Sequence, residues 1–204
     1  MSQTRRNIVF GTGNPNADIL IVTDSPTSSQ DKAGTHATHE IRWLVQMFKK
    51  VTNSKNKLES CAEQMLKRVF IVSATMCIPV KSEGSGSGET RAPSYKEIKA
   101  CSPRLNETIY AVDPTIILVF GSSARSAVFA KQSGLDITGN RLEFVDIPGK
   151  AGFNVRYSVL LASSLKAAED AGDYHYKNGK SASVELVLRK AFNYVNALNM
   201  EDKI

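Results

Sequence analysis

The sequence predicts an α/β fold in three layers (α/β/α), in which helices cover both faces of a mostly parallel central sheet. Apolar runs of strand length alternate along the chain with amphipathic segments of helical length. This alternation is typical of parallel strands connected by helices. The 204 residues contain neither an internal repeat nor a convincing boundary in composition, so we expect a single domain over residues 1–204.

The first half of the chain begins with a strand in "ADILIVTD", which ends in a polar loop containing proline. In "THEIRWLVQMFKKV", apolar residues from Ile41 to Phe48 recur at helical spacing. Either Thr35 or Thr38 is expected to cap the start of that helix. "NKLESCAEQMLKRV" is a second amphipathic segment, and "VFIVSATM" is the next strand.

The second half follows a loop in which glycine and serine alternate from Gly84 to Gly88, a composition typical of flexible chain. Ser94 precedes Glu97 by three residues, the spacing of a capping box, and Pro103 lies inside this helix or joins two shorter ones. "DPTIILVFG" reads as a buried strand and "SSARSAVFAKQ" as a helix that follows it directly. "EFVDI" and "RYSVLLAS" are later strands, and "VELVLRKAFNYVNALNM" is a carboxyl-terminal helix.

Four loops of this arrangement are candidates for a functional site. Sites in such folds form at the carboxyl ends of the strands. The loops therefore follow four apolar residues: Val22, Val72, Phe120 and Leu161.

Composition narrows the classes of function. The net charge of +6 suits a polyanionic partner such as nucleic acid, although a basic balance also occurs without one. The apolar runs are far shorter than the roughly 20 residues of a membrane helix. The amino terminus has no apolar signal region, so we expect a cytoplasmic protein without membrane contact. Three cysteines, an odd number, argue against a disulfide framework.

Four segments resemble the uracil-DNA glycosylase superfamily, especially its iron–sulfur family-4 branch. They are "VFGTGNPNADILIV", "TDSP", "VFIVSATMCIPV" with the later "RAPSYKEIKACSPRL", and "VDPTIILVFGSSARSAVF". The resemblance runs in consistent order from Ile8 to Ser164. It implies a four-stranded parallel sheet flanked by helices, whose loops at one end hold a base flipped out of DNA.

Cleavage of an N-glycosidic bond requires a carboxylate near the sugar and a hydrogen-bond donor near the departing base. By resemblance, Asp24 occupies the place of the family's acidic residue, although "DSP" is also ordinary turn chemistry. Ser163 or Ser164 stands where the family has the histidine of a His-Pro motif, and we take Ser164 as the second catalytic candidate. Lys166 is the nearby cation that either stabilises an anion or is solvated.

Three residues are candidates for base binding. By resemblance, Ser73 replaces the family's asparagine, and a hydroxyl cannot supply the paired donor and acceptor of an amide. The family's stacking phenylalanine aligns near Ala37, with His36 and His39 beside it. Either histidine could stack or donate, or be an ordinary surface residue.

Two segments carry features suited to the DNA backbone. Ser122, Ser123 and Arg125 open a helix after a strand, where backbone amides bind phosphate or are simply capped. Lys166 and Lys177 belong to "SSLKAAEDAGDYHYKNGK", in which cations and aromatic residues interleave in a way that suits backbone contacts and stacking.

The cysteines bear on a cofactor. By resemblance, Cys77 and Cys101 occupy two of the four ligand positions of the family's [4Fe–4S] cluster, but "MSQTRRNIVF" lacks the Cys-x-x-Cys pair that would complete it. Cys61 lies in a predicted helix and does not obviously replace that pair. We expect no metal and no cofactor, with the thiols reduced and structural.

Two functions remain in competition. The first is a DNA glycosylase that hydrolyses the bond to a uracil or modified base, using Asp24. The second is a catalytically inactive glycosylase-fold module, expected to be a monomer, that binds DNA or a replication or repair protein. A weaker third is a nucleotide- or partner-binding protein, but "GTGNPN" does not complete Gly-x-Gly-x-x-Gly and no Walker lysine is present.

Overall fold

A computed structural model describes residues 7–38, 41–80, 90–130, 134–137, 139, 141–149, 152–170 and 183–201. Its strands are β1 (Thr12–Gly13), β2 (Ile19–Thr23), β3 (Val69–Ser73), β4 (Ile116–Phe120), β5 (Glu143–Pro148) and β6 (Asn154–Ala162). Its helices are α1 (Ser28–Ala33), α2 (Arg42–Val51), α3 (Leu58–Arg68), α4 (Tyr95–Val112), α5 (Ser122–Phe129), α6 (Leu165–Asp170) and α7 (Val184–Glu201).

The strands form one sheet in the order β1-β3-β2-β4-β6-β5. The four central strands are parallel, which confirms the predicted α/β class and mostly parallel sheet. The sheet has six strands rather than four, because β1 and β5 pair antiparallel along its two edges. The side chains of β5 alternate between buried and exposed, as expected for an edge strand covered on one face.

Helices pack on both faces of this sheet and give it two cores. In β2, Ile19 and Ile21 face α2, α3 and α7, whereas Leu20 and Val22 face α4 and α5. All four side chains are almost completely buried. A strand buried on both faces reads as a continuous apolar run, which is why "ILIV" and "IILVF" are recognisable in the sequence.

The order of the strands reverses between β2 and β4. The chain passes from β2 to its neighbour β3 on one side, and then returns to β4 on the other side of β2. At such a switch point the connections leave in opposite directions, which opens a crevice at the carboxyl ends of the two strands. The loops after Thr23 and Phe120 border this crevice.

The helix starts agree only in part with expectation. Ser94 and Glu97 form the predicted capping box of α4, and Pro103 lies inside that single helix. The predicted threonine cap of α2 is wrong: α2 begins after Ile41, without a side-chain cap. Thr35 Oγ1 instead lies 3.0 Å from Thr12 Oγ1, which ties the loop before α2 to β1.

None of the described helices has the length and apolar character needed to cross a membrane. Cys61 and Cys77 are buried, Cys101 is half-buried, and none of the three forms a disulfide. The described residues contain no group of three metal-ligating side chains. The predicted Gly84–Gly88 loop lies outside the described residues.

The start of α4 generates a prediction about stability and pH. Two hydrogen bonds from Arg91, both 2.7 Å, hold the Glu97 carboxylate and lower its pKa to about 2. A carboxyl with a lowered pKa stabilises the folded state above its unfolded pKa and loses that effect as the pH falls towards 2. Glu97→Gln should therefore cost about 1 kcal/mol at neutral pH, a value discounted for the exposure of Arg91.

Urea unfolding from pH 7 down to pH 3 measures this effect. The difference between Glu97→Gln and the wild type should narrow on acidification. Glu107, an exposed residue of the same helix, supplies the control, and Glu107→Gln should change stability little at any pH. A pH-independent loss in Glu97→Gln would contradict the ionic role of this carboxylate.

Candidate functional site

Asp24 follows β2 directly and joins it to the helix that follows β4. Its Oδ1 accepts hydrogen bonds from the backbone nitrogens of Ser123, at 2.7 Å, and Ala124, at 3.0 Å. These amides belong to the first turn of α5, where they have no partner within the helix. Asp24 therefore caps α5 from another strand and closes the switch point between β2 and β4.

Gly121 makes this approach sterically feasible. Its φ of +103° lies in a region that favours glycine, and a Cβ built there would lie 2.0 Å from Asp24 Oδ2. Any side chain at position 121 would displace the carboxylate. The glycine that follows β4 is therefore required both for the close approach of Asp24 and for the conformation of the turn.

Two opposing effects set the pKa of Asp24. Burial raises the pKa above its ordinary value, and the hydrogen bonds from Ala124 and Ser123 oppose this by stabilising the charged form. The net direction is upward. Asp24 is thus a carboxylate held in a fixed orientation in a partly dehydrated place, as is common at functional sites.

Two cavities meet at Asp24. The larger, of about 490 Å³, lies among β2, α1, α2 and α6, and Thr23, Gln30, His36 and Trp43 line it. The smaller, of about 340 Å³, lies at the ends of β4 and β6. Asp24 and Ser164 line both cavities, so the two residues predicted as catalytic lie in one shared wall.

Ser164 opens α6 and caps it. Its Oγ accepts a hydrogen bond from Ala167 N at 3.2 Å. A hydroxyl that accepts in this way keeps its own hydrogen to donate. Lys166 lines the larger cavity, but its side chain is 77% exposed and paired with Asp170, so it stands at the mouth rather than inside.

His36 is the most deeply buried polar group of the larger cavity, with 1% of its surface exposed. Its Nε2 lies 3.5 Å from Ser73 Oγ, and Ser73 Oγ lies 3.0 Å from Thr23 Oγ1. Burial lowers the pKa of His36 to about 4, so the imidazole is neutral at pH 7. The interpretation of His36 as a surface residue is therefore wrong.

Comparison with known proteins places this chain in a family. The model of the uracil DNA glycosylase superfamily matches residues 10–171. The chain belongs to that superfamily. It is similar to the type-4 uracil-DNA glycosylase of Sulfurisphaera tokodaii, with 30% identity over 130 residues, and to that of Saccharolobus solfataricus, with 28% identity over 129 residues. The predicted resemblance to the family-4 branch is confirmed.

The similarity does not extend over the whole of those relatives. Each alignment covers 63% of this chain, but only 51% of the first protein and 52% of the second. The chain thus spans about half the length of the curated relatives it matches.

Two lining residues of the larger cavity were not anticipated from the sequence. Gln30 belongs to α1, a six-residue helix without an apolar stripe. Its Oε1 accepts from Thr27 N at 3.1 Å, and its side chain reaches the cavity wall. Trp43, the single tryptophan, lies in the first turn of α2, directly before the buried Leu44. This position is the signal that could have identified it from the sequence.

The predicted backbone-binding residues divide into three groups. Ser122 and Arg125 line the smaller cavity, and Arg125 has no ion-pair partner among the described residues. Ser123 is buried, and its backbone N–H donates a hydrogen bond to Asp24 Oδ1. That N–H is therefore not available to a phosphate. Lys177 lies outside the described residues, as does His39, one of the predicted base-binding residues.

The contact between Asp24 and Gly121 predicts a specific steric coupling. Gly121→Ala should destabilise the fold by at least about 2 kcal/mol more than Gly152→Ala. Gly152 also has a positive φ, of +79°, but nothing lies within 4 Å of the added Cβ. Chemical denaturation of the two variants measures this excess, which combines the clash with the strain of a backbone conformation, φ 103° and ψ 171°, that essentially only glycine adopts.

A second background tests whether the clash is with Asp24. In Asp24→Ala, the three atoms nearest to a Cβ at position 121 are gone, so adding Gly121→Ala should cost at least about 1 kcal/mol less than it does in the wild type, because the backbone strain is common to both backgrounds. Equal costs of Gly121→Ala in both backgrounds would contradict the contact.

The buried imidazole predicts a second pH dependence. The pKa of His36 is about 4 in the folded protein and about 6.5 when unfolded, so folding opposes protonation. The contribution of His36 to the free energy of unfolding is fully present above pH 6.5. It is lost as the pH falls towards 4, by up to about 3 kcal/mol. In His36→Gln, this part of the acid destabilisation should disappear from the denaturation curves. An unchanged pH profile would refute the assignment.

Proposed function

We propose that the protein hydrolyses the N-glycosidic bond of a uracil or modified base flipped out of DNA, with Asp24 as the catalytic carboxylate. The observation that carries the proposal is the position of Asp24. It lies in the shared wall of two cavities, at the switch point of a fold that belongs to the uracil DNA glycosylase superfamily. Base excision needs one compartment for the base and another for the backbone, on either side of the bond that is cleaved.

The larger cavity suits an extruded base. Its volume of about 490 Å³ is within the range of small-molecule sites. Trp43 offers an aromatic surface, and Gln30, His36 and Thr23 offer polar atoms, the combination with which flipped bases are bound.

The roles of the polar residues follow from the charges that develop. As the bond breaks, the sugar becomes positive, and the ionised Asp24 stabilises it while its Oδ1 is held by the α5 amides. The hydroxyl of Ser164 is the donor available to the departing base. Burial raises the pKa of Asp24, so the carboxylate becomes protonated at a higher pH than an exposed aspartate would. Activity should therefore be lost at a correspondingly higher pH on acidification.

The reaction is expected to be slow. One well-placed donor on a departing anion contributes about 10²–10³ in rate, and the site has a serine where the resembled family has a histidine. The donor of a serine is neutral and weaker than a positioned imidazole. Substrate bases that leave readily should therefore be preferred.

The smaller cavity supports contact with the DNA backbone. Arg125 and Ser122 line it beside Asp24, and the chain has a net charge of +6. A guanidinium without an ionic partner is a suitable phosphate ligand. Binding to DNA should weaken as salt increases.

An inactive DNA-binding module is the second candidate. It is favoured by the structural use of Asp24, whose Oδ1 is committed to capping α5. In that case the carboxylate serves the fold alone, and the protein binds DNA or a replication or repair partner without cleaving it.

Oligonucleotides carrying uracil, hydroxymethyluracil, hypoxanthine or a mismatch distinguish the two. At enzyme excess, at least one should yield abasic product, and Asp24→Asn should reduce the rate at least about a hundredfold. Asparagine retains an acceptor for the α5 amides, so the fold should persist. The control is Asp18→Asn, the same chemical change at the opposite end of β2, which should be fully active.

Three results are informative. Abasic product that depends on Asp24 supports hydrolysis. No product from any duplex or single strand, with salt-sensitive DNA binding retained, overturns hydrolysis in favour of the inactive module. Absence of both product and DNA binding contradicts both candidates.

A further inference from the structure

The outer edge of the sheet at β5 is a full-length strand to which no described segment pairs. The strand order ends at β5, which has six residues, whereas β1 at the opposite edge has only two. A very short edge strand is a common protection against pairing with another chain, and β5 lacks that protection. On the face of the sheet where α7 packs on β4 and β6, Phe144 of β5 is 52% exposed.

Two hydrogen bonds fix which backbone groups of β5 point outward. Gly149 N donates to Phe153 O at 2.8 Å, and these two residues continue the register of β5 and β6 by one pair. Antiparallel strands bond at every second pair, so the odd-numbered residues of β5 bond to β6 and the even-numbered ones point away from it. Gly121 N donates to Ala162 O at 3.2 Å, which agrees, since it shows an even-numbered residue of β6 facing β4 instead.

The N–H and C=O groups of Phe144 and Asp146 therefore face the open edge, without a partner among the described residues. Pro148 is the next outward position, and it has no N–H to offer, so it limits pairing at that end of the strand. A charged residue on an edge discourages pairing, but Arg156 on β6 holds the Asp146 carboxylate through hydrogen bonds at 2.9 and 3.3 Å. The backbone of Phe144–Asp146 thus remains open to another strand.

We infer that β5 is an interaction surface for β5 of a second copy of this chain, joined to it antiparallel about a twofold axis. In the favoured register, Val145 lies opposite Val145 of the second copy. Phe144 of each chain then forms the hydrogen-bonded pair with Asp146 of the other. All the outward N–H and C=O groups of both residues find partners in this register.

The neighbouring registers are less favourable. Shifting one way sets the two Asp146 carboxylates directly opposite each other and sets Phe144 against Pro148, which cannot donate. Shifting the other way pairs Phe144 with itself, but it leaves Asp146 opposite Leu142, which lies outside β5. In the favoured register the two Phe144 rings are diagonal neighbours within reach of each other. The edge is thus self-complementary, as a twofold interface requires, and this favours a second copy over an unrelated strand.

Such pairing extends the sheet and leaves both candidate sites open. The crevice lies at the carboxyl ends of β2 and β4, and β6 separates β4 from β5. Because the two β5 strands run antiparallel, the carboxyl ends of the parallel strands in the two copies point in opposite directions. Neither copy then covers the site of the other. The inference is independent of hydrolysis, and it differs from the monomer expected for the inactive module.

Sedimentation equilibrium of the full chain over a concentration series measures this association, and we expect the mass to rise towards that of a dimer. Phe144→Pro removes an outward N–H without affecting the hydrogen bonds between β5 and β6. It removes one donor from each copy, so association should weaken at least about thirtyfold. Phe144→Lys should also weaken it, by setting two like charges at the diagonal contact. Phe153→Lys is the matched control: Phe153 is more exposed, at 75%, but precedes β6 away from the edge, so association should be unchanged.

Val145→Cys tests the register itself. Opposed residues of a pair without mutual hydrogen bonds have their Cα atoms about 4.5 Å apart, which is within the range of a disulfide. Mild oxidation should therefore give a covalent dimer on non-reducing electrophoresis. In Val155→Cys, the same change one strand further from the edge, no such dimer should form. The native thiols are common to both variants.

Each result decides for or against the inference. Association that Phe144→Pro and Phe144→Lys weaken, together with the cross-link at position 145, supports it. A chain that stays monomeric at its highest soluble concentration overturns it. A dimer that both variants at position 144 retain, or one that gives no cross-link at position 145, has its interface elsewhere and also overturns it. None of these outcomes depends on whether an oligonucleotide is cleaved.

Discussion

The hydrogen bonds from the start of α5 to Asp24 are the interaction on which the rest of the site depends. They connect the ends of two neighbouring parallel strands, β2 and β4, at the point where the strand order reverses. An open crevice at this point is a general property of such sheets. Here Asp24 divides that crevice into two cavities, and Gly121 is the residue that lets the carboxylate approach closely enough to do so.

The same interaction creates a tension between structure and chemistry. A carboxylate buried against amides is oriented without mobility, but burial also raises its pKa and so weakens its ionisation. Orientation favours catalysis, since no rearrangement is needed when charge develops on the substrate. The capping role needs only the Oδ1 acceptor, so it would persist even in a protein that had lost its activity.

The sequence predicted the parallel core well, because strands buried on both faces leave continuous apolar runs that need no tertiary information. It also identified Ser94 and Glu97 as a capping box, a pattern confined to four residues. It failed where partners are distant or where a helix lacks an apolar stripe. The α5 amides lie about 100 residues from Asp24, and α1 is held by its own capping box and by Asn7, which donates to Asp31 O at 2.7 Å.

The charges around the two cavities indicate which part of the proposed DNA ligand each cavity would bind. At the larger cavity, Lys166 is paired with Asp170, and Glu169 adds a negative charge that is absent from the described lining of the smaller cavity, so a phosphate would be repelled there. The smaller cavity is lined by Arg125 as well as by Asp24, and Arg125 has no ionic partner in the described residues. A neutral base in the larger cavity and a phosphate in the smaller one is therefore the electrostatically consistent arrangement. Under the proposed function, this arrangement would set the bond between base and sugar beside Asp24, because that residue lines both cavities.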